Sequence, residues 1–207
     1  VGALLYRFVK MRNEKEVVDH NYVQSRLRSL ETQLNPHFLF NALNSIAELI
    51  HQDPEKAEIA ILKVSTFLRN TMDEKALISL SDELRNVKDY VELENIRFSG
   101  RIHLELDDIL PRVKVPKFSI QLLVENAIKH GFRDREDLNI SLSYDKTQNS
   151  LLLQNDGKSM SSTDFGTGLT NLSQRLKLLC NGRIEITDKK TPTFTIYLGD
   201  CDENTDR

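Results

Sequence analysis

The chain has 207 residues, with 28 Lys and Arg against 31 Asp and Glu and a formal net charge of −3. That balance lacks the basic footprint of a nucleic-acid binder, and 39% hydrophobic with 29% charged residues suits an ordinary globular protein. The two cysteines, Cys180 and Cys201, form neither a CxxC pair nor a zinc spacing.

Residues 1–9 are mostly apolar, and Arg7, Lys10 and Arg12 all precede the first acid, Glu14. This segment is too short to span a bilayer, which takes about 20 residues. It reads either as the cytoplasmic end of a spanning helix, where basic residues gather, or as the start of an amphipathic one. From about residue 10 to residue 50 the pattern predicts helix, with Leu27, Leu30 and Leu34 as a short coiled-coil-like seam. Asp53 and Pro54 predict the start of a second helix, a side-chain cap followed by proline in the first turn. Its expected buried stripe is Ala57, Ile61, Val64, Leu68 and Met72. The two helices make a hairpin with too little core of its own, so pairing with a second copy into a four-helix bundle is expected.

A third helix is predicted from near Ser81 to just before Gly100. The periodicity then changes. Residues 101–106 alternate like a strand, Pro116 is expected to open an apolar helix running to Gly131, and residues 138–144 and 150–155 read as paired strands. Residues 168–180 are expected to be helical with Gly182 just past the end. Strands at 183–187 and 193–198 follow, then a loose polar tail from 201 to 207. The sum is an α+β chain: a helical first third, then an α/β module of mostly antiparallel strands with helices on one face.

Four segments carry chemistry. The run Leu34-Asn35-Pro36-His37-Phe38-Leu39-Phe40-Asn41 places a proline, a histidine and amides inside a helical pattern, against helix propensity. His37 and Asn41 lie one turn apart on one helix face; an imidazole there suits nucleophilic attack, and the amide suits positioning of water or a phosphoryl oxygen. A packing histidine beside a proline kink is the plainer alternative. The second segment, Glu125-Asn126-Ala127-Ile128-Lys129-His130-Gly131, sets oxygen donors suited to Mg²⁺ beside cations suited to phosphate. The third, Asn155-Asp156-Gly157-Lys158-Ser159, is a strand running into a glycine turn. The fourth, Gly166-Thr167-Gly168-Leu169, opens a helix that includes Arg175, and a helix N-terminus is a ready anion site.

Taken in order, these segments resemble the LytS/YehU family of bacterial sensor histidine kinases, from about Gln24 to Leu198. The resemblance implies a helical-hairpin dimerisation domain (a four-helix bundle in the dimer) followed by a Bergerat/GHKL α/β sandwich that binds ATP with Mg²⁺. It implies that His37 is the phosphoacceptor, that Asn126 holds Mg²⁺ with Glu125 as a further candidate, and that Lys129, His130, Asn155, Gly157, Gly166, Gly168, Leu169 and Arg175 surround the nucleotide. It departs from the family's first glycine box, where Asn155 stands for the aspartate that accepts from adenine and Ser159 for the second glycine. Phe38 follows His37, so no neighbouring acid serves as general base.

The implied organisation is 1–9 as the candidate end of a transmembrane helix, 10–72 as coiled-coil and phosphoacceptor helices and 73–100 as a connector. Residues 101–200 form the kinase domain and 201–207 the tail. The implied activity is autophosphorylation from ATP and transfer to an aspartate on a response-regulator receiver domain, by a homodimer held to the bacterial inner membrane through a segment before Val1, with this portion in the cytoplasm. A second reading is a degenerate kinase acting as a dimerisation and docking module.

Overall fold

The computed structural model describes residues 36–132, 136–160 and 165–201. The expectations for residues 1–35 and for the end of the tail, 202–207, lie outside these described residues. Helix α1 is Pro36–Gln52 and α2 is Pro54–Met72. Asp53 caps α2, its carboxylate accepting from the Lys56 N–H at 3.1 Å. The two helices pack on each other and on α3, Leu80–Arg97. On α1 the inward residues are Phe38, Ala42 and Ile46, four apart each time.

The buried stripe of α2 differs from the sequence expectation. Ala57 and Val64 are buried, but with Ala60, Phe67 and Thr71, while Ile61 and Met72 are 47% and 72% exposed. The apolar residues of α2 thus form two stripes, and the one facing α1 and α3 sets small residues, Ala57, Ala60 and Val64, before Phe67, whose ring packs on Phe38 and Tyr90.

A pair of three-residue strands, β1 (Leu77–Ser79) and β3 (Lys114–Pro116), forms an antiparallel ribbon that the sequence pattern did not reveal, being too short to alternate. It also corrects the expected helix start: Pro116 closes β3, and α4 spans Ser119–Gly131 after Phe118 in a left-handed conformation at φ 63°.

The main sheet runs β2 (Ile102–Leu106), β4 (Leu138–Asp145), β5 (Ser150–Asn155), β7 (Thr193–Tyr197), β6 (Arg183–Asp188), with β2 and β4 parallel and the rest antiparallel. Register fixes the faces, because directly paired residues share one. Leu142, Leu153 and Phe194 line up across the strands on the buried face, as do Ile102 with Leu138 and Leu151 with Ile196. Asn139, Ser141, Ser143 and Gln154 occupy the other face. Helices α3, α4 and α5 (Thr167–Cys180) cover the apolar side, the two-layer arrangement expected of the chain. Helix α5 stops at Asn181 (φ 46°), one residue before Gly182, and Cys180 is disulfide-bonded to Cys201.

Candidate functional site

His37 sits in the first turn of α1 with an exposed side chain. Asn41, one turn on, places its Nδ2 3.2 Å from Nδ1 and 3.4 Å from Nε2 of the ring, so the sequence spacing has become a contact. The next residue, Phe38, points inward and is 2% exposed, its ring centroid 5.0 Å from that of Phe67 and 4.7 Å from that of Tyr90. This aromatic cluster anchors the first turn of α1 to α2 and α3 and holds the imidazole on the surface.

A cavity of about 610 Å³ opens between the end of α4, the loop after β5 and the start of α5. That is the size of a ligand pocket for a small organic molecule. Of the residues nominated from sequence, Asn126, His130, Asn155, Gly166, Gly168 and Leu169 line it. Lys158, Ser159, Met160, Pro192 and Phe194 line it as well and were not nominated. Lys158 and Ser159 stand in the quoted glycine turn, which was the available signal; Pro192 and Phe194 reach the cavity only through strand pairing. Apolar walls and a polar mouth suit a flat base joined to an anion. Gly166 at the cap of α5 offers no side-chain acceptor, which leaves the first backbone N–H groups of the helix for an anion.

Asn155 is 4% exposed, and its Oδ1 accepts from the Gly157 N–H at 3.1 Å while Nδ2 donates to the Pro192 carbonyl at 3.4 Å. The next residue, Asp156, which would offer a carboxylate in place of the Asn155 amide, turns away: its carboxylate accepts from the Asn139 N–H at 2.9 Å and from Asn139 Nδ2 at 2.7 Å. Gly157 itself does not line the cavity. A Cβ there would meet Gly131 Cα at 2.5 Å, so this glycine lets the end of α4 and the end of β5 close on each other.

Besides Gly157, three nominated residues are elsewhere. Lys129 is exposed and does not line the cavity. Arg175 donates from Nη2 to the Lys117 carbonyl at 2.7 Å, and its charge acts on Glu83. Glu83, fully buried on α3, accepts from the backbone N–H groups of Phe118, Ile120 and Gln121 at 2.9, 2.9 and 3.1 Å. Burial pushes the Glu83 carboxyl up, and those bonds with Arg175 pull against it. Arg175 therefore braces the root of α4 rather than the cavity. Glu125 also faces inward: its Oε1 accepts from Gln121 Nε2 at 2.9 Å, and burial, with Glu94 nearby, pushes its carboxyl up. Of the two nominated metal donors, only Asn126 borders the cavity. Its amide oxygen is the hard-donor type Mg²⁺ prefers.

The histidine kinase family profile matches residues 25–102. A sensor protein LytS of Staphylococcus epidermidis is 35% identical over 175 residues, covering 73% of this chain and 29% of that protein. The LytS of Bacillus subtilis strain 168 is 31% identical over 195 residues, covering 84% and 33%, and that of Streptococcus mutans 31% over 207 residues, covering 87% and 36%. The chain belongs to the LytS family of sensor histidine kinases. At 87% coverage the LytS likeness must run well past residue 102 and through most of the sheet that frames the cavity. The chain spans about a third of the length of these LytS relatives. Among solved structures, the histidine kinase domain of the Erythrobacter litoralis EL346 blue-light activated kinase is similar at 15% identity and a TM-score of 0.47, over 86% of this chain and 95% of that one.

Proposed function

We propose that this chain is the ATP-dependent portion of a sensor histidine kinase, in which His37 takes the γ-phosphoryl group of ATP and hands it to an aspartate of a response regulator. The observation that carries the reading is the pairing, in one chain, of a surface imidazole held by Asn41 with a cavity of about 610 Å³ bordered by Asn126, His130, Lys158 and an uncapped helix N-terminus.

Chemically, the adenine fits the apolar wall of Met160, Leu169 and Phe194, and the phosphates fit the N-terminus of α5 with Lys158 and His130. Mg²⁺, when bound beside Asn126, supplies charge neutralisation on the phosphates. Phosphoryl transfer needs little covalent help from the protein, so positioning and electrostatics dominate. His37 supplies the nucleophilic nitrogen, and Asn41 fixes the ring's orientation. Phosphoryl transfer can run within one protomer or between two of a homodimer. The outer faces of α1 and α2 carry the side chains for such a dimer, with Phe40, Leu43, Ile59 and Leu62 all more than half exposed. In the full-length protein a membrane segment before Val1 would set this portion on the cytoplasmic side of the bacterial inner membrane.

The second reading, a docking module, draws on the neutral Asn155 amide standing where a carboxylate would accept from adenine, a weaker acceptor whose oxygen also takes the Gly157 N–H. Incubation with γ-labelled ATP and Mg²⁺ decides. Acid-labile, alkali-stable label on the wild type and none on His37→Gln is the expected result. Absence of Mg·ATP binding by calorimetry would sink the kinase reading in favour of docking.

A further inference from the structure

Helix α3 touches both halves of the chain. Tyr90 packs its ring against that of Phe38, the residue after His37, with the centroids 4.7 Å apart. About two turns further along, just past the end of the helix, Phe98 stacks face to face on Phe132. Their centroids are 4.4 Å apart and their planes 2° from parallel. Phe132 is the residue that follows α4. The connector therefore grips the helix of the candidate phosphoacceptor at one end and a helix of the nucleotide cavity at the other.

Phe98 is a fixed platform. Asn95 clamps the turn beyond it, with Nδ2 donating to the Ile102 carbonyl and Oδ1 accepting from the Ile102 N–H, both at 2.8 Å. Arg101 Nε donates to the Phe98 carbonyl at 2.9 Å. The Arg97 guanidinium lies over the Phe98 ring, 4.3 Å from its centroid. Across the stack, the last residues of α4 make three different contacts. His130 lines the cavity, Gly131 is pinched against Gly157, and Phe132 lies on Phe98. Two glycines in contact fix a distance but have no side chains to fix an orientation. A ring stack does fix one, because aromatic pairs have preferred geometries. The direction in which α4 presents His130, and Asn126 one turn earlier, thus depends on the stack.

Resting on the kinase reading above, we infer that Phe98 is a positioning residue for the nucleotide site: through Phe132 it holds the end of α4, and with it His130 and Asn126, in the arrangement that receives the phosphates of Mg·ATP. Without the stack that end pivots about Gly131 and divides its time among orientations. A ligand that fits one of them then binds more weakly in proportion to the time that orientation is held. Once the nucleotide is bound, the groups that attack and leave are the same. Phe98 sets affinity rather than the rate of phosphoryl transfer.

The test compares the full chain with Phe98→Ala, Phe132→Ala, the double variant and Phe98→Tyr, each at a temperature where circular dichroism shows it folded. Calorimetry should find Mg·ATP bound about tenfold more weakly by Phe98→Ala, and Phe98→Tyr, which keeps the ring, should recover most of that loss. The double variant should lose no more than either alanine alone, because the two rings act as one contact. In single-turnover labelling of His37 from γ-labelled ATP, the effect of Phe98→Ala should lie in the ATP concentration needed, with most of the saturating rate kept.

Wild-type affinity in Phe98→Ala overturns the inference. So do losses that add in the double variant, a Phe98→Tyr no better than Phe98→Ala, or a fall confined to the saturating rate. If the wild type binds no Mg·ATP, the kinase reading fails instead, and amide hydrogen exchange at residues 130–132 decides for Phe98. Faster exchange in Phe98→Ala than in Phe98→Tyr keeps it as the residue that positions this helix end, and equal exchange removes it.

Discussion

Glu83 shows how a single residue of α3 builds the root of the candidate nucleotide helix. Phe118 precedes α4 in a left-handed conformation and offers no side-chain cap, so the first N–H groups of that helix need an acceptor from outside. Glu83 supplies it three times over, at distances of 2.9 to 3.1 Å. Replacing Glu83 by alanine strips these buried donors of their partner, at a cost of about 1–3 kcal/mol for each group left unsatisfied. Urea denaturation of Glu83→Ala should therefore show a loss of roughly 3 kcal/mol or more, and a midpoint within error of wild type would remove Glu83 from this role. At this scale the sequence was only half legible. Asn126, His130 and Gly168 could be placed at a cavity because they are local motifs on one helix turn or one loop. Arg175 and Glu125 belong to equally local motifs, yet their side chains point to Glu83, Lys117 and Glu94, partners distant in sequence whose approach no spacing rule gives.

At the scale of elements, the α1–α2 hairpin carries more apolar surface than one copy can bury. Phe38, Ala42 and Ile46 face α2 and α3, while Phe40, Leu43 and Ile50 form a second stripe on α1 at 67%, 53% and 49% exposure. Helix α2 repeats the arrangement with Ile59 and Leu62 outward. The sequence pattern registered that these helices were too apolar for solvent, but it merged two stripes into one, which is why Ile61 and Met72 were expected inside. Periodicity reports that a face is apolar without telling which neighbour covers it. The inner stripe meets α3, and the outer one fits a second copy in a four-helix bundle. Leu43→Glu combined with Leu62→Glu touches only outward positions, so the fold should survive by circular dichroism while light scattering shows a monomer. A double variant that stays dimeric would move the interface elsewhere. The short β1–β3 ribbon was invisible for a different reason: three residues per strand leave no alternation to read, although Lys117 follows directly and donates to the Asp73 carbonyl at 2.5 Å, tying α4 to the end of α2.

For the molecule as a whole, three buried acids, Glu83, Glu94 and Glu125, should set how stability responds to pH. Burial holds the carboxyls of Glu83, Glu94 and Glu125 above their ordinary 4.5. Between that value and the raised folded ones, the native state keeps protons that the unfolded chain has released, so stability falls as pH rises. The contribution is present in full below 4.5 and is lost as pH climbs through the folded values, after which it is flat. Asp53, Asp73 and Asp145 act in the opposite sense. Hydrogen bonds, from Lys56, Lys75 and Thr147 respectively, hold these acids below their ordinary 3.8, so their contribution is lost only as pH falls into the acid range beneath it. Asp73 is exposed and Asp53 and Asp145 are only half-buried, so solvent screening leaves little of it. Above 4.5 Glu83, Glu94 and Glu125 should therefore decide the slope together. Urea midpoints taken from pH 5 upward should decline and then level, and Glu125→Gln, which relieves the like-charge opposition without shortening the side chain, should flatten the decline. Midpoints that rise over that range, or a Glu125→Gln slope equal to wild type, would mean that the two carboxyls are solvated together in solution.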